Sequence, residues 1–465
     1  VSGRAAVAYE ITDVPVQAPR RGATRGLIVV AYAAGEGPGG PEAEVNGELL
    51  RALAGYWPAR MTAIVGGRWS PPEGPDPIAD RQAYQLGEYG TGGRPSWHSR
   101  LVARAANGLK RRGLPSVPAR LVNRAVYWTT GEGIKMAGWT DAATRALDCA
   151  LDADPDAVVY SRALPFASIA AAARVRRRRA FRWIVNINDP LPPDIATAVY
   201  QSTPWTNRCV RAGLRAAIPL VDAFTFPCER LRRLQFSEFP AMAERPSLVL
   251  PHIARTPMAV PRSSAGGRLA LVFCGMLRKA DSRPEFAAGL DRLVREGHAV
   301  GREIELAFYL RQPNPYAEGL IRSLPVPTRI EFGASPETID GALGSADVLV
   351  DLEAESYGAL LLTKIARYIG AAKPIWALCV PGGTTWNLIT ERRCGYVTAL
   401  GRPAAVADTL RQIHRDWRLG ALGAHVPSRA VVARFSAERQ VTDLHALCAV
   451  LDGSGRMNVS SPDWP

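Results

Sequence analysis

The chain has 465 residues, 47% hydrophobic and 22% charged, a composition that fits a globular protein of two or three domains and excludes whole-chain disorder. Lysine and arginine outnumber aspartate and glutamate 57 to 43, and the resulting +14 favours anionic partners without choosing among phosphates, nucleic acid and an anionic bilayer. No apolar run reaches the roughly 20 residues of a spanning helix, the first residues lack a signal peptide's regions, and the scattered cysteines form no C-x-x-C pair, so the expectation is a cytoplasmic protein with reduced thiols and no metal site.

Residues 27–30 are a short apolar run, followed by a glycine-rich turn, a helical stretch over 42–53 and a second apolar run over 61–65. This βαβ opening predicts a parallel sheet. Residues 66–96, dense in Gly and Pro, read as a long loop. Strands over 157–160, 182–187 and 223–226 alternate with helix-forming segments over 140–152, 166–179 and 205–217, and this α/β domain ends near 248–251. Residues 255–267, rich in Pro, Ser and Gly, read as a linker. The pattern then restarts, with strands over 269–273, 304–309, 328–332, 348–351 and 374–379, helices over 284–296, 336–343, 363–369 and 385–390, and a last helix from Ala437. The predicted fold class is therefore α/β, with two doubly wound Rossmann-like domains facing a central cleft. Their expected bounds are 1–255 and 266–430, with a C-terminal helix and tail over 431–465.

Gly35, Gly37 and Gly40 satisfy G-x-G-x-x-G between a strand and a helix, where backbone amides can hold a pyrophosphate. A dinucleotide site also needs an acid at the end of the second strand, and here that strand ends in Val65-Gly66-Gly67. A nicotinamide or flavin oxidoreductase is thereby disfavoured. The loop, with Gly37, Gly39 and Gly40, reads either as a turn or as backbone that approaches a ligand on the acceptor side.

The second half carries the sharper pattern. Gly275 stands at a strand exit, and eight residues on, Arg283 opens a helix with Pro284, where a guanidinium beside helix N-terminal amides suits a diphosphate or simply caps a turn. Thr363-Lys364-Ile365-Ala366-Arg367-Tyr368 leads through a tight turn to Lys373-Pro374-Ile375, followed by the glycine-rich loop Gly382-Gly383-Thr384 and by Cys394-Gly395-Tyr396-Val397. This string resembles the nucleotide-sugar glycosyltransferases of the GT-B fold, specifically the family-4-like retaining enzymes, with their T/S-K-x-x-E-Y-x-x-x-x-K-P-I pattern. The segment 275–286, the Ala346-Asp347-Val348 strand, Pro155-Asp156-Ala157, Trp183 with Asn188-Asp189-Pro190, and Arg434-Phe435-Ser436 are similar to further stations of that family, in the same order over about 25–450.

The resemblance implies a hexosyltransferase-type enzyme that moves a sugar, with retention, from a nucleotide diphosphate-sugar to a carbohydrate, lipid-linked or natural-product acceptor, with no cofactor beyond the donor substrate. The first domain would take the acceptor and the second the donor. Arg283 and Lys364 would neutralise the diphosphate, and Gly275, Thr363, Gly382, Gly383 and Thr384 would line the donor pocket. The family's ribose-holding glutamate falls on Arg367, a cation that accepts no hydrogen bond. Asp351, Glu353 and Glu355, at the carboxyl end of a strand, either supply a substitute or are solvated. Asp189 reads as an acceptor-orienting or basic group or as a turn former, and His252 as a cleft-mouth contact or a structural histidine. Residues 94–135 hold nine basic residues and one acid, Glu132, among Trp97, Tyr127 and Trp128. They read as a peripheral contact with the anionic inner face of a membrane or as a solvated flap. Arg174 to Arg182, six arginines in nine residues, read as surface, and nucleic acid is disfavoured as a partner. Two other readings stay open: a non-catalytic GT-B homologue that binds a nucleotide or partner protein, and a Rossmann oxidoreductase.

Overall fold

The computed structural model describes residues 8–9, 25–32, 40–66, 81–86, 124–125, 127–128, 134–163, 165–196, 202–255, 267–277 and 283–453. The chain forms two compact units, one of residues 1–250 joined by the C-terminal stretch from Ala437, the other of residues 251–436.

Unit one is built on a parallel sheet of β1 (Ala8–Tyr9), β2 (Leu27–Ala31), β3 (Met61–Val65), β4 (Arg81–Gln85), β5 (Val158–Arg162), β6 (Arg182–Asn186), β7 (Ala223–Phe226) and β8 (Ser247–Val249), in the order β1-β8-β7-β6-β5-β2-β3-β4. The strands β2, β3, β5 and β7 are buried along their whole length, which is why they are predominantly apolar, with Thr62, Ser161, Arg162 and Thr225 as buried polar exceptions. β4 lies inside the stretch 66–96 that the sequence presents as a loop. As an edge strand paired only with β3, Arg-Gln-Ala-Tyr-Gln needs no apolar run, so its signal is weak.

The arginine cluster has a structural use. Helix Ala167–Arg176 and the residues after it lie along helix Ile134–Ala153, where Arg174 meets Asp141 at 2.6 Å and Arg178 and Arg179 pair with Asp148 and Asp152. The C-terminal helix Ala437–Leu451 belongs to unit one: His445 stands edge-on to buried Trp57 at 5.5 Å, and Asp452 accepts from Arg25 Nε at 2.8 Å.

Unit two carries the parallel sheet β11-β10-β9-β12-β13-β14, made of β9 (Leu269–Gly275), β10 (Ile304–Leu310), β11 (Thr328–Phe332), β12 (Val348–Leu352), β13 (Ile375–Cys379) and β14 (Gly395–Ala399). One face buries Phe273, Leu306, Phe308, Val350, Trp376 and Leu378 against Phe286, Leu290 and Leu293 of helix Pro284–Arg295 and Leu410 and Ile413 of helix Pro403–Arg418. Each such side chain contributes roughly 1.5–3 kcal/mol by leaving water. A buried tryptophan in each sheet keeps its indole N–H satisfied by a hydroxyl on the neighbouring strand: Trp183 donates to Ser161 Oγ at 2.8 Å, and Trp376 to Thr398 Oγ at 3.0 Å. Helices Glu229–Glu238 and Pro315–Arg322, which complete crossovers, and Pro403–Arg418, which follows the last strand, were not among the sequence-predicted elements.

Candidate functional site

In unit two the strand order reverses between β9 and β12, because β10 lies on the other side of β9. Such a switch point leaves a crevice at the carboxyl ends of the strands. Only two Cα pairs join the strands, Leu271 with Val348 and Val272 with Leu349, and beyond them β9 and β12 diverge. The buried Tyr368, on helix Thr363–Gly370, bridges the gap: its hydroxyl accepts from Cys274 N at 2.8 Å and has Cys274 O and Val350 O as acceptors at 3.2 and 3.1 Å. Burial pushes this phenol well above its ordinary pKa, so it stays a neutral strut.

Lys364 lies one turn earlier on the same helix face, the i, i+4 relation. Its ammonium pairs with the fully buried carboxylate of Asp351, donates to Leu352 O at 3.3 Å and stands 5.1 Å from the Phe273 ring centroid. Its stem lies under Gly275, where a Cβ would be 3.8 Å from Lys364 Cδ, and Gly275 itself has φ +142°, which favours glycine. Lys364 thus sits at the crevice, already carrying one carboxylate partner.

The three carboxylates at the carboxyl end of β12 separate. Asp351 and Glu353 are buried, and Glu355 opens a short 3-10 turn and faces solvent. Glu353 accepts from Thr385 Oγ, which ties the strand end to helix Thr384–Arg392. Burial, and then the negative charge of Asp351, hold the Glu353 carboxyl well above the usual carboxylate range.

Arg283 caps helix Pro284–Arg295 at the carboxyl side of β9, with Nη1 3.8 Å from Glu285, whose carboxylate also accepts from Gly401 N at 2.9 Å. The glycine loop is clipped to its neighbour: Gly383 N donates to Val380 O and Thr384 N to Gly358 O, both at 2.8 Å. Gly382 has φ +66°, and a Cβ on Gly383 would meet Val380 O at 2.8 Å. Gly383 is thus required by backbone packing, and its amide and that of Thr384 are engaged within the protein. Thr363 begins the lysine helix. Arg367 pairs with Asp340 of helix Pro336–Ser345 at 2.7 Å, and Arg255 Nε lies 3.6 Å from the same carboxylate. His252, half-buried, lies in the segment 251–255, which unit two holds through Ala254 N to Phe435 O at 2.8 Å.

In unit one Asp189 is half-buried just beyond the carboxyl end of β6. Gly37 and Gly39, with Gly35, lie outside the described residues; Gly40 begins helix Gly40–Tyr56. Where a dinucleotide fold has its acid, Gly66 follows β3, and a Cβ there would lie 2.6 Å from Tyr32 O. Most of the basic segment 94–135 also lies outside the described residues. Within it, Trp128 is exposed and packs against Trp205 at 5.4 Å, at the start of helix Pro204–Ala217. Sequence reasoning missed Tyr368 as a site residue, although its spacing from Lys364 signals it, and Arg162, whose period-2 relation to Tyr160 puts it on the same sheet face at the strand's end.

No protein-family model matches the sequence, and no curated protein matches it significantly. Solved structures do. Sucrose-phosphate synthase from Thermosynechococcus elongatus is similar with a TM-score of 0.59 at 12% identity, over 93% of this chain and 100% of that one. HepE of Anabaena, in complex with UDP and glucose, gives a TM-score of 0.55 at 12% identity over 92% and 100%. A putative UDP-N-acetylglucosamine 2-epimerase from Listeria monocytogenes gives 0.55 at 9% identity over 94% and 100%. The chain has the GT-B fold of nucleotide-sugar glycosyltransferases, as its ordered motifs led one to expect.

Proposed function

We propose that the protein is a glycosyltransferase that binds a nucleotide diphosphate-sugar on unit two and transfers the sugar to an acceptor held by unit one. The observation that supports this reading is the switch-point crevice of unit two, where Lys364 lies beneath Gly275 at the carboxyl end of β9, with Arg283 at the start of the helix that follows that strand. A leaving diphosphate accumulates negative charge as the glycosidic bond breaks, and fixed cations stabilise that charge in the transition state more than in the ground state. Arg283 is the principal diphosphate contact in this reading. Lys364, anchored by Asp351, aims the second cation. Glu355, solvent-facing after β12, takes the ribose in place of the family glutamate. Asp189 orients the acceptor. Retention, a hexose as the transferred sugar, a carbohydrate, lipid-linked or natural-product acceptor, and a cytoplasmic location at the inner face of a membrane complete the proposal.

The Arg367–Asp340 ion pair favours a second reading, in which the chain binds a nucleotide or a partner without turnover, because the position that holds ribose in the resembling family is here a cation held by a neighbouring helix. Incubation with UDP-, GDP- and dTDP-sugars, with mass spectrometry of nucleoside diphosphate and glycosylated product, separates the two. Transfer from one donor, reduced at least roughly tenfold in R283A as for one lost charge-assisted contact, is the expected result. Nucleotide binding without product from any donor contradicts catalysis.

A further inference from the structure

Arg162 ends β5 at the carboxyl edge of the unit-one sheet, and only 4% of it is exposed. Parallel register sets it opposite Asn186 on β6, and sets Asn186 opposite Thr225 on β7, so that three polar residues stand in one row across the sheet. Arg162 Nε donates to Asn46 Oδ1 at 2.6 Å, from a buried residue of helix Gly40–Tyr56, while Nη2 is buried without a hydrogen-bond partner. Asn186 Nδ2 donates to Thr225 Oγ1 at 2.9 Å, and Asn186 Oδ1 is likewise buried and unpartnered. Tyr160, two residues before Arg162 on the same face, reaches Thr225 Oγ1 at 3.0 Å, and burial keeps its phenol neutral.

Asn46, Thr225 and Tyr160 carry no charge to balance a guanidinium that stays protonated at any working pH. The same fold treats its other buried arginine differently, since Arg232 meets Glu229 at 2.6 Å, and the partly buried Arg439 and Arg283 also face carboxylates, Asp443 at 2.8 Å and Glu285 at 3.8 Å. Among the described residues no carboxylate pairs with Arg162. A buried cation without a counter-charge is costly, and the cost falls when an anion binds. Position adds to this, since the carboxyl edge is where parallel α/β sheets receive ligands, and Asp189 follows the same β6.

We propose that Arg162 receives an oxyanion, phosphate or carboxylate, borne by the sugar acceptor, and that Asn186 Oδ1 accepts from a neighbouring hydroxyl of the same molecule. The acceptor class is thus an acidic sugar, a statement that rests on the glycosyltransferase reading. The site assignment itself does not.

The test is thermal shift at constant ionic strength with inorganic phosphate, a hexose phosphate, a hexuronate, the neutral hexose and UDP, on wild type, R162Q, R162K and N186D. Asn186→Asp places a carboxylate at the register partner of Arg162 and supplies the counter-charge from within the chain. It should melt above the ligand-free wild type and bind the anionic sugars at least tenfold more weakly, with R162K keeping part of the response and R162Q none. The response to UDP should persist in all variants, because its proposed site is in unit two. A neutral hexose that binds as tightly as its acidic counterparts, or an N186D variant that melts lower and keeps the full phosphate response, overturns the assignment. So does loss of the UDP response in N186D, which would make the oxyanion the donor's. If wild type answers to phosphate and acidic sugars but to no nucleotide, the oxyanion site stands and the glycosyltransferase reading fails.

Discussion

Replacing Lys364 by methionine removes the ammonium that pairs with Asp351 while keeping most of the stem packed beneath Gly275. Asp351 is fully buried. Removing one partner of a buried pair leaves an uncompensated charge, and such changes cost about 3–5 kcal/mol. For a unit of this size each kcal/mol lowers the melting midpoint by about 2–4 °C, so the transition that reports unit two should fall by roughly 6–20 °C. The double variant K364M/D351N removes both charges and should recover most of the lost stability. If Lys364 also meets the donor diphosphate, the double variant should still transfer sugar at least roughly tenfold more slowly than wild type. Thermal melts of the four proteins of this cycle, together with turnover of a nucleotide-sugar, read both quantities. K364M within about 0.5 kcal/mol of wild type would refute the buried-pair account, and full activity in the double variant would remove Lys364 from the proposed donor site.

The Glu353 carboxyl, raised in the folded state, binds a proton there that the unfolded chain releases once pH passes the ordinary carboxylate value, so its contribution to stability is present in acid and is lost as pH rises through the raised folded pKa. E353Q mimics the protonated form, and its melting point relative to wild type should rise between pH 5 and pH 8; a difference that is constant or falls with pH contradicts the assignment. R367E sets two carboxylates face to face at Asp340 and should destabilise unit two, whereas R367E/D340R should restore it, as read by urea melts. G383A brings a Cβ to 2.8 Å from Val380 O and should cost about 1–3 kcal/mol, with weaker donor binding if the 380–384 loop lines the pocket; unchanged melting would show that the loop yields. His445, whose pKa burial lowers, should loosen the C-terminal helix from Trp57 as pH drops below about 6.5, visible as faster amide exchange over 437–451 at pH 5.5 than expected from intrinsic rates.

The alternation of buried strands with helices was legible because strands covered on both faces are mostly apolar, and such runs stand out against polar crossovers. β4 was not, since an edge strand with one pairing partner can be polar. The placement of the last helix was equally hidden, because nothing local in 437–451 says that the chain returns to the first sheet and packs His445 on Trp57. At the site, the motif string named Lys364 and Gly275, which the fold brings side by side, but side-chain pairing is a tertiary property. Sequence alone leaves Arg367 a free cation near a ribose, whereas Asp340, 27 residues earlier, holds it in an ion pair. The run Asp351, Glu353, Glu355 looked uniform, and only burial divides it into two interior acids and one that faces solvent. The arginines of 174–182 likewise looked like an open basic face until Asp141, Asp148 and Asp152, on another helix, were placed beside them.

The central claim is that unit two binds a nucleoside diphosphate, and its most direct measurement is the melting temperature of the full chain with UDP, GDP, dTDP and NADH. A ligand that binds only the folded state at about 100 times its Kd adds about 2.7 kcal/mol, a shift of several degrees for a unit of this size. At least one nucleoside diphosphate should produce that shift in wild type and a much smaller one in R283A, with NADH inert. A shift with NADH and none with any nucleoside diphosphate would contradict the account.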